Sequence, residues 1–335
     1  MTIKAISVII CTHNRAAFLP KVIEQLCDQD YPVNRFEVII VDNCSSDDTS
    51  DVVKRLIPNC KLTLRLVQEP RPGVTFARNR GAEEANYPYL AYLDDDCSVG
   101  ADWLSQLVSG FGLSDQVSVV AGRVILSLDH QPCPDWLGPK GKSWLAEFNF
   151  PGSEPCVLDN PTYVCEGNMA ITKEAWRSVG GFLGMDQFGS PHGASQEIVY
   201  LLEQIKRQGG KVAFIPSAVA GHHTLLPTRR QLLLRAYAHG ISTAILDHLL
   251  KRFSWGSAVF YFLLDIIALF VFFASSIFFS LVFDKAAAMD YLLRAAARLG
   301  KVLSNLRIDG NWERVRSWIT SRQDAVERLS WKGQS

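Results

Sequence analysis

The chain lacks a charge excess of either sign, since 34 lysines and arginines are matched by 34 aspartates and glutamates. A general nucleic-acid binder carries a basic excess as its electrostatic footprint, so that class is excluded and any phosphate site must be local. Paired metal-binding cysteines are also missing. The eight cysteines, at 11, 27, 44, 60, 97, 133, 156 and 165, form no CxxC pair and no Cys/His cluster at zinc-ligand spacing. Cys11 and Cys44 sit at the ends of apolar runs, as small buried residues do, and a reducing, cytosolic compartment is expected. The start, MTIKAISVII, has no basic stretch followed by a long apolar one, so no signal peptide is expected. Internal repeats and low-complexity tracts are absent as well. With 335 residues, 48% of them hydrophobic, the chain can bury a full core and is expected to form more than one unit.

Short apolar runs alternate with helical patterns over the first hundred residues. Strands are expected at 6–11, 36–41, 61–68 and 89–93, and helices at 18–28, 49–56 and 74–85. Such alternation implies an open, mostly parallel α/β sheet with right-handed crossovers, and ligands bind beyond the carboxyl ends of its strands. Three polar clusters follow these runs: Thr12-His13-Asn14-Arg15, Asp42 through Asp47, and Asp94-Asp95-Asp96. All three should open onto one edge of the sheet and form one site. Three adjacent carboxylates repel one another unless a cation sits between them, and hard divalent ions favour oxygen ligands, which makes Mg²⁺ or Mn²⁺ bridging to a phosphate the expected occupant.

Further on, a helix from Trp103 is followed by strand segments at 117–120 and 123–128, and residues 129–165 are Pro-, Gly- and Trp-rich without periodicity, as a lid or binding loop is. A helix over 196–208 and a last strand over 211–215 precede Gly221-His222-His223.

Six segments in this order, SVIICTHNR (7–15), VIIVDNCSSDDT (38–49), GVTFARNRG (73–81), LDDD (93–96), GNMAI (167–171) and QEIVYLLEQIKRQGGKV (196–212), resemble the inverting family 2 glycosyltransferases of GT-A fold. The resemblance covers roughly residues 5 to 240. It implies transfer of a sugar from a nucleotide-diphosphate sugar, with Asp42 at the base and Ser45 and Asp47 shaping its loop; a carboxylate accepts the imide N–H of uracil or thymine, so a uridine or thymidine donor is favoured. Thr12, Asn14, Arg15, Gly73, Arg78 and Asn79 fall in the donor-facing segments. Asp94 and Asp96 match the family's DxD carboxylates, with Asp95 between them, and His222 matches a histidine that some members place near the metal. Glu197, the second residue of a pair whose first is Gln196 rather than the common acid, matches the general base that activates the acceptor hydroxyl; Glu203, six residues further along the same helix, is a poorer candidate. Gly167, Asn168 and Met169 resemble the acceptor-facing loop, and Trp136 is a candidate for stacking on a sugar ring, with a core position as its alternative.

Two other classes compete. A sugar-phosphate nucleotidyltransferase would carry a glycine-rich loop after the first strand, where Thr12-His13-Asn14-Arg15 has no glycine. A catalytically inactive nucleotide-sugar-binding protein would not need Glu197.

The end of the chain differs in kind. Residues 266–283 hold no charge, and eighteen such residues reach about 27 Å as a helix, close to a hydrocarbon core. A catalytic domain over 1–240, a linker and transmembrane or membrane-embedded helix over 241–284 and a helical tail over 285–335 are expected, with a buried core helix or a segment in the membrane interface as the alternative for the apolar run. Lys251 and Arg252 before the apolar segment, with Arg229, Arg230 and Arg235 upstream, favour a cytoplasmic side for the catalytic domain, although Lys285, Arg294, Arg298 and Lys301 follow that segment. Membrane attachment favours a polysaccharide or lipid-linked acceptor.

Overall fold

The computed structural model describes residues 3–128, 131–183, 196–250 and 255–305. The chain divides into two units, the first comprising 1–134, 139–184 and 197–226 and the second 135–138, 185–196 and 227–335. In the first, β1 (Ile6–Thr12), α1 (Leu19–Cys27), β2 (Phe36–Asp42), α2 (Thr49–Leu56), β3 (Thr63–Gln68), α3 (Val74–Glu84) and β4 (Tyr89–Leu93) alternate as expected. Then come β5 (Cys97–Val99), α4 (Trp103–Ser109), β6 (Val117–Ser127), α5 (Pro139–Ser143), β7 (Cys156–Val157), β8 (Asn168–Thr172), α6 (Lys173–Ser178), α7 (Glu197–Arg207) and β9 (Lys211–His223).

All nine strands share one sheet, in the order β3-β2-β1-β4-β8-β6-β9-β5, with β7 added to β9. The β3-β2-β1-β4 half is parallel. Its central strands, β1 and β2, are buried on both faces, which is why they read as unbroken apolar runs rather than alternating ones. Helix α1 buries Leu19, Val22, Ile23 and Leu26, an i, i+3, i+4, i+7 stripe, and Pro in its first turn suits the N-terminus. At the start of α6 the Thr172 hydroxyl accepts the Ala175 N–H at 3.2 Å, capping the helix.

The other half is mixed. Strand β8 runs antiparallel to both β4 and β6, while β6 and β9 are parallel. Here the structure corrects the reading of β9. The strand does not stop at Ile215; its register against β6 shifts between Gly122 and Arg123, whose partners are Ile215 and Val219, and it continues to His223. A bulge tolerates Pro216 because no ladder N–H is needed there. The Asn168 amide fastens it, donating to the carbonyls of Arg123 and Ala218, each at 2.8 Å. His222 therefore lies on a strand opposite Cys97 of β5, not in a loop after the sheet. Residues 131–165 are also less irregular than expected: besides α5 and β7, Val124 and Phe148 form an isolated bridge, and Phe148 packs edge-on against Phe150, Tyr163 and Phe214, with Phe150 tilted against Phe214.

The second unit contains α8 (Arg229–Leu249), α9 (Trp255–Leu281) and α10 (Lys285–Asn305). Helix α8 runs through residue 240, where the expected catalytic domain ended. Within α9, Phe260–Leu281 is long and apolar enough to cross a membrane, with a mean hydropathy of 2.5.

Candidate active site

Parallel register aligns the carboxyl ends of three strands, so that Thr12, Asp42 and Gln68 stand side by side. The loops beyond them are stitched together. Asn14, at φ 53°, a left-handed conformation that Asn tolerates, accepts the backbone N–H of Ser46 at 2.7 Å and of Asp47 at 3.3 Å, and its own N–H donates to Ser45 Oγ at 2.9 Å. Asp47 in turn accepts from the N–H groups of Ala16 and Thr49, and hydrogen bonding from Thr49 holds its carboxyl below the usual range. Asn43 ties this layer to the next: its Nδ2 donates to the carbonyls of Glu69 (3.0 Å) and Arg71 (2.7 Å), and its Oδ1 accepts the Gly73 N–H (2.8 Å). Gly73 precedes α3 at φ 133°, a backbone state that only glycine adopts readily.

These loops wall a cleft of about 470 Å³ lined by Thr12, His13, Arg15, Asn43, Gly73, Arg78, the three aspartates and His222, among others. Asp96 accepts from Arg15 at 3.0 Å and lies 3.3 Å from His222 Nε2, while His222 Nδ1 is buried without a hydrogen-bond partner. One ligand atom from each of Asp94, Asp96 and His222 falls within 4.8 Å of the others. Burial pushes the Asp95 carboxyl up to about 7 against the single donor Thr12 Oγ1, 2.7 Å away, with Asp96 and Asp94 adding repulsion. Asp96 is also raised, by burial first and with Asp94 adding to it, against the opposing pull of His222 and Arg15. Carboxylates and an imidazole, crowded and short of positive charge, form a donor set that suits a divalent cation.

Behind the aspartates, Arg78 of α3 is buried among carboxylates: Glu197 Oε1 at 3.2 Å, Glu166 Oε1 at 3.6 Å and Asp94 Oδ1 at 4.0 Å. Burial alone would lower its pKa, but Glu166, Asp94 and Glu197 together raise it, so the guanidinium is permanently charged. Glu197 opens α7, where the helix dipole favours a carboxylate, and is 3% exposed. Its neighbour Gln196 bonds within the second unit, its Nε2 lying 3.0 Å from His239 Nδ1. Glu166 was not singled out from the sequence. Burial raises its carboxyl despite Arg78 and a hydrogen bond with Tyr163. A lone acid directly before the apolar β8 was the available signal.

Several expected ligand-facing residues lie elsewhere. Asn168 is fully buried, its Oδ1 accepting Trp103 Nε1 at 2.8 Å besides the two bulge contacts, and Met169 is in the core, so neither side chain faces an acceptor. Only Gly167 of that trio touches the cluster: its carbonyl accepts the Asp94 N–H at 3.3 Å, and a Cβ there would collide with the Asp94 carboxylate. Asn79 turns away from the cleft, holding both the N–H and the carbonyl of Phe182 at 2.8 Å. Asp42 stands behind the wall. Ser45, Ser50 and Gln68 donate to it, and these bonds lower its pKa in spite of burial. Trp136 belongs to the second unit, under the Arg229 guanidinium at 5.2 Å from the ring centroid.

Comparison with known proteins gives the family and the fold. Residues 7–175 match the family described as Glycosyl transferase family 2. The glycosyltransferase AglE of Haloferax volcanii is 33% identical over 126 residues, which cover 37% of this chain and 40% of that protein, so the match spans less than half of the relative. The glucosyl-dolichyl phosphate glucuronosyltransferase of the same organism is 23% identical over 262 residues, 74% of this chain and 79% of that one. Among solved structures, the mannosyltransferase PcManGT from Pyrobaculum calidifontis, in complex with GDP-Man and Mn²⁺, superposes with a TM-score of 0.56 at 18% identity, covering 99% of this chain and 87% of that one. The fold is of the GT-A type.

Proposed function

The chain belongs to glycosyl transferase family 2, and from that membership we propose that it moves a sugar from a nucleoside-diphosphate donor to an acceptor hydroxyl with inversion at the anomeric carbon. One observation carries the reading: the acidic cluster and the Arg78–Glu197 pair converge at the carboxyl edge of one sheet, Arg78 lying within 4.0 Å of Asp94 and 3.2 Å of Glu197.

Asp94, Asp96 and His222 would hold Mg²⁺ or Mn²⁺. When bound, such an ion supplies Lewis-acid neutralisation of the charge developing on the departing diphosphate. Arg15 and Arg78 supply fixed positive charge on the same cleft, which binds and orients the anionic donor. Thr12 and the Asn14–Asp47 loop shape the nucleoside end, with Asp42 holding that loop through Ser45. Glu197 accepts the acceptor hydroxyl's proton at Oε1 or Oε2 as the oxygen attacks from the face opposite the leaving group. The carboxylate is engaged with Arg78 in the unliganded cleft. A diphosphate entering the cleft competes for that guanidinium and leaves Glu197 more basic.

The acceptor is proposed to be lipid-linked or a growing glycan, in keeping with the apolar α9 and with the relative named for a dolichyl phosphate substrate. A cytoplasmic side for the catalytic domain is part of the proposal, favoured by the basic residues upstream of α9.

Donors are to be screened by thermal shift with Mn²⁺, since ligands that bind the native state raise its apparent stability. The donor so found should then release free nucleoside diphosphate only when an acceptor is present. Pyrophosphate release from a nucleoside triphosphate and a sugar 1-phosphate instead would identify a nucleotidyltransferase.

A further inference from the structure

Helix α9 has one inward stripe. Asp265, Leu269, Phe272, Ser276 and Phe279, buried or half-buried at spacings of three and four, face α10. Ser276 Oγ donates to the Ala288 carbonyl at 2.8 Å, Phe279 stacks on Tyr291 with centroids 5.3 Å apart, and Asp265 pairs with Arg298 and, at 3.2 Å, with Lys301. These contacts make α9 and α10 an antiparallel hairpin. The rest of the described α9 surface is uncharged and mostly exposed, and includes the exposed Phe260, Leu264, Ile267, Phe270, Phe273 and Phe278.

By length α9 could span a bilayer, but the helices beside it argue against that. Helix α10 also packs on α8, where Gly240 and Gly300 leave no room for a Cβ between the two backbones and Lys301 reaches Asp247 at 2.9 Å. At the other end Asp135 pairs with Lys285, the first residue of α10, at 2.6 Å, and the adjacent Trp136 lies under Arg229, the first residue of α8. The three helices thus run side by side, α8 and α10 in one direction and α9 in the other. If α9 crossed a bilayer, α8 and α10 would cross with it. That would carry Arg235 of α8 and the exposed Arg294, near the middle of α10, into hydrocarbon. It would also carry the non-helical 135–138 segment to the depth of the α10 start.

An apolar face backed by charged helices is the composition of an element that lies in a membrane interface. Residues 227–305 hold nine basic and four acidic side chains in a chain whose net charge is zero, so this helical unit is attracted to an anionic surface. We propose that α9 lies lengthwise in one leaflet of an anionic lipid membrane, with α10 above it at headgroup depth, and that both ends of the helical hairpin stay on the catalytic side. The proposal builds on the membrane association suggested above and specifies its geometry.

Two measurements on the full chain test it. In flotation with vesicles of phosphatidylcholine and phosphatidylglycerol, the wild type should float, less so with phosphatidylcholine alone. The combined substitution Phe270→Ser, Phe273→Ser, Phe278→Ser should lower partitioning at least about a hundredfold with helicity retained. For sidedness, Asn305→Cys, at the exposed end of α10, is labelled in sealed membrane vesicles with an impermeant maleimide and read by peptide mass spectrometry against the native, exposed Cys44. Position 305 and Cys44 should react together in every vesicle orientation. Reaction of position 305 only where Cys44 is protected would establish spanning and overturn the proposal. So would flotation that ignores the triple substitution, or a chain that stays off vesicles and self-associates through this face. Nucleoside diphosphate release by detergent-solubilised chain reports separately on the transferase reading.

Discussion

Buried carboxylates stand at both ends of the same parallel strands, and a shortage of donors appears at one end alone. Near the amino end of β2, Glu37 accepts from Ser7 Oγ (2.7 Å), the Asn86 N–H (2.7 Å), Asn86 Nδ2 (2.9 Å) and Arg65 (3.2 Å), and these donors hold its pKa below the usual value although burial pushes the other way. At the carboxyl edge Asp42 is satisfied in the same way, but Asp95 and Asp96, and Glu166 ahead of β8, are raised. The strands can satisfy a buried acid when the fold alone requires it. A shortage of donors confined to one end marks the place where a positive partner from outside is expected.

Breaking the functional end should have the largest effect. Glu197→Gln is expected to cut sugar transfer by about 10³–10⁴-fold, within the range for removal of a general base, while donor binding by thermal shift stays near wild type. Transfer at the wild-type rate would sink the assignment. Next, Asp96→Ala, or chelation of divalent ions, should lower turnover by about 10²–10³-fold; added Mn²⁺ should restore the chelated enzyme and not the variant. Full activity in chelator would remove the metal.

Breaking the structural end should leave kinetics alone. Glu37→Ala strands the Ser7, Asn86 and Arg65 donors and should cost about 2–3 kcal/mol in denaturant unfolding, with kcat unchanged. Because the native pKa of Glu37 is depressed, its contribution is fully present above the ordinary carboxylate value of about 4.3 and is lost as pH falls through the native value. The stability gap between wild type and Glu37→Gln should therefore be constant near neutrality and shrink on acidification; a gap that widened would contradict the shift. The smallest effect is a steric one. Gly167→Ala pushes on the Asp94 carboxylate and should reduce turnover roughly tenfold, with little change in stability.

The strands and the three loops at their ends were legible because buried parallel strands are unbroken apolar runs, and each run here stops at a polar cluster. What stayed hidden depends on contacts between distant positions. The last strand was expected to stop at Ile215, and the pairing of β9 with β6 past the bulge, fastened by Asn168, carries it on to His223. The same asparagine, read from its motif as acceptor-facing, is consumed by that bulge. Asn79 is likewise claimed by Phe182, and Glu166 enters the site only because Arg78 needs counter-charge. In the helical unit an uncharged run signalled a membrane. The ion pairs from Asp265 to α10, which bind the run to charged neighbours, have no sequence period to announce them.

The hydrogen bonds of Asn43 have a consequence for timing. By joining the end of β2 to the Glu69–Gly73 turn and the start of α3, they order one wall of the cleft when the chain folds. The entropy of fixing that wall is then lost once per folding event rather than once per turnover, so a donor docks against a surface that has no disorder left to give up there.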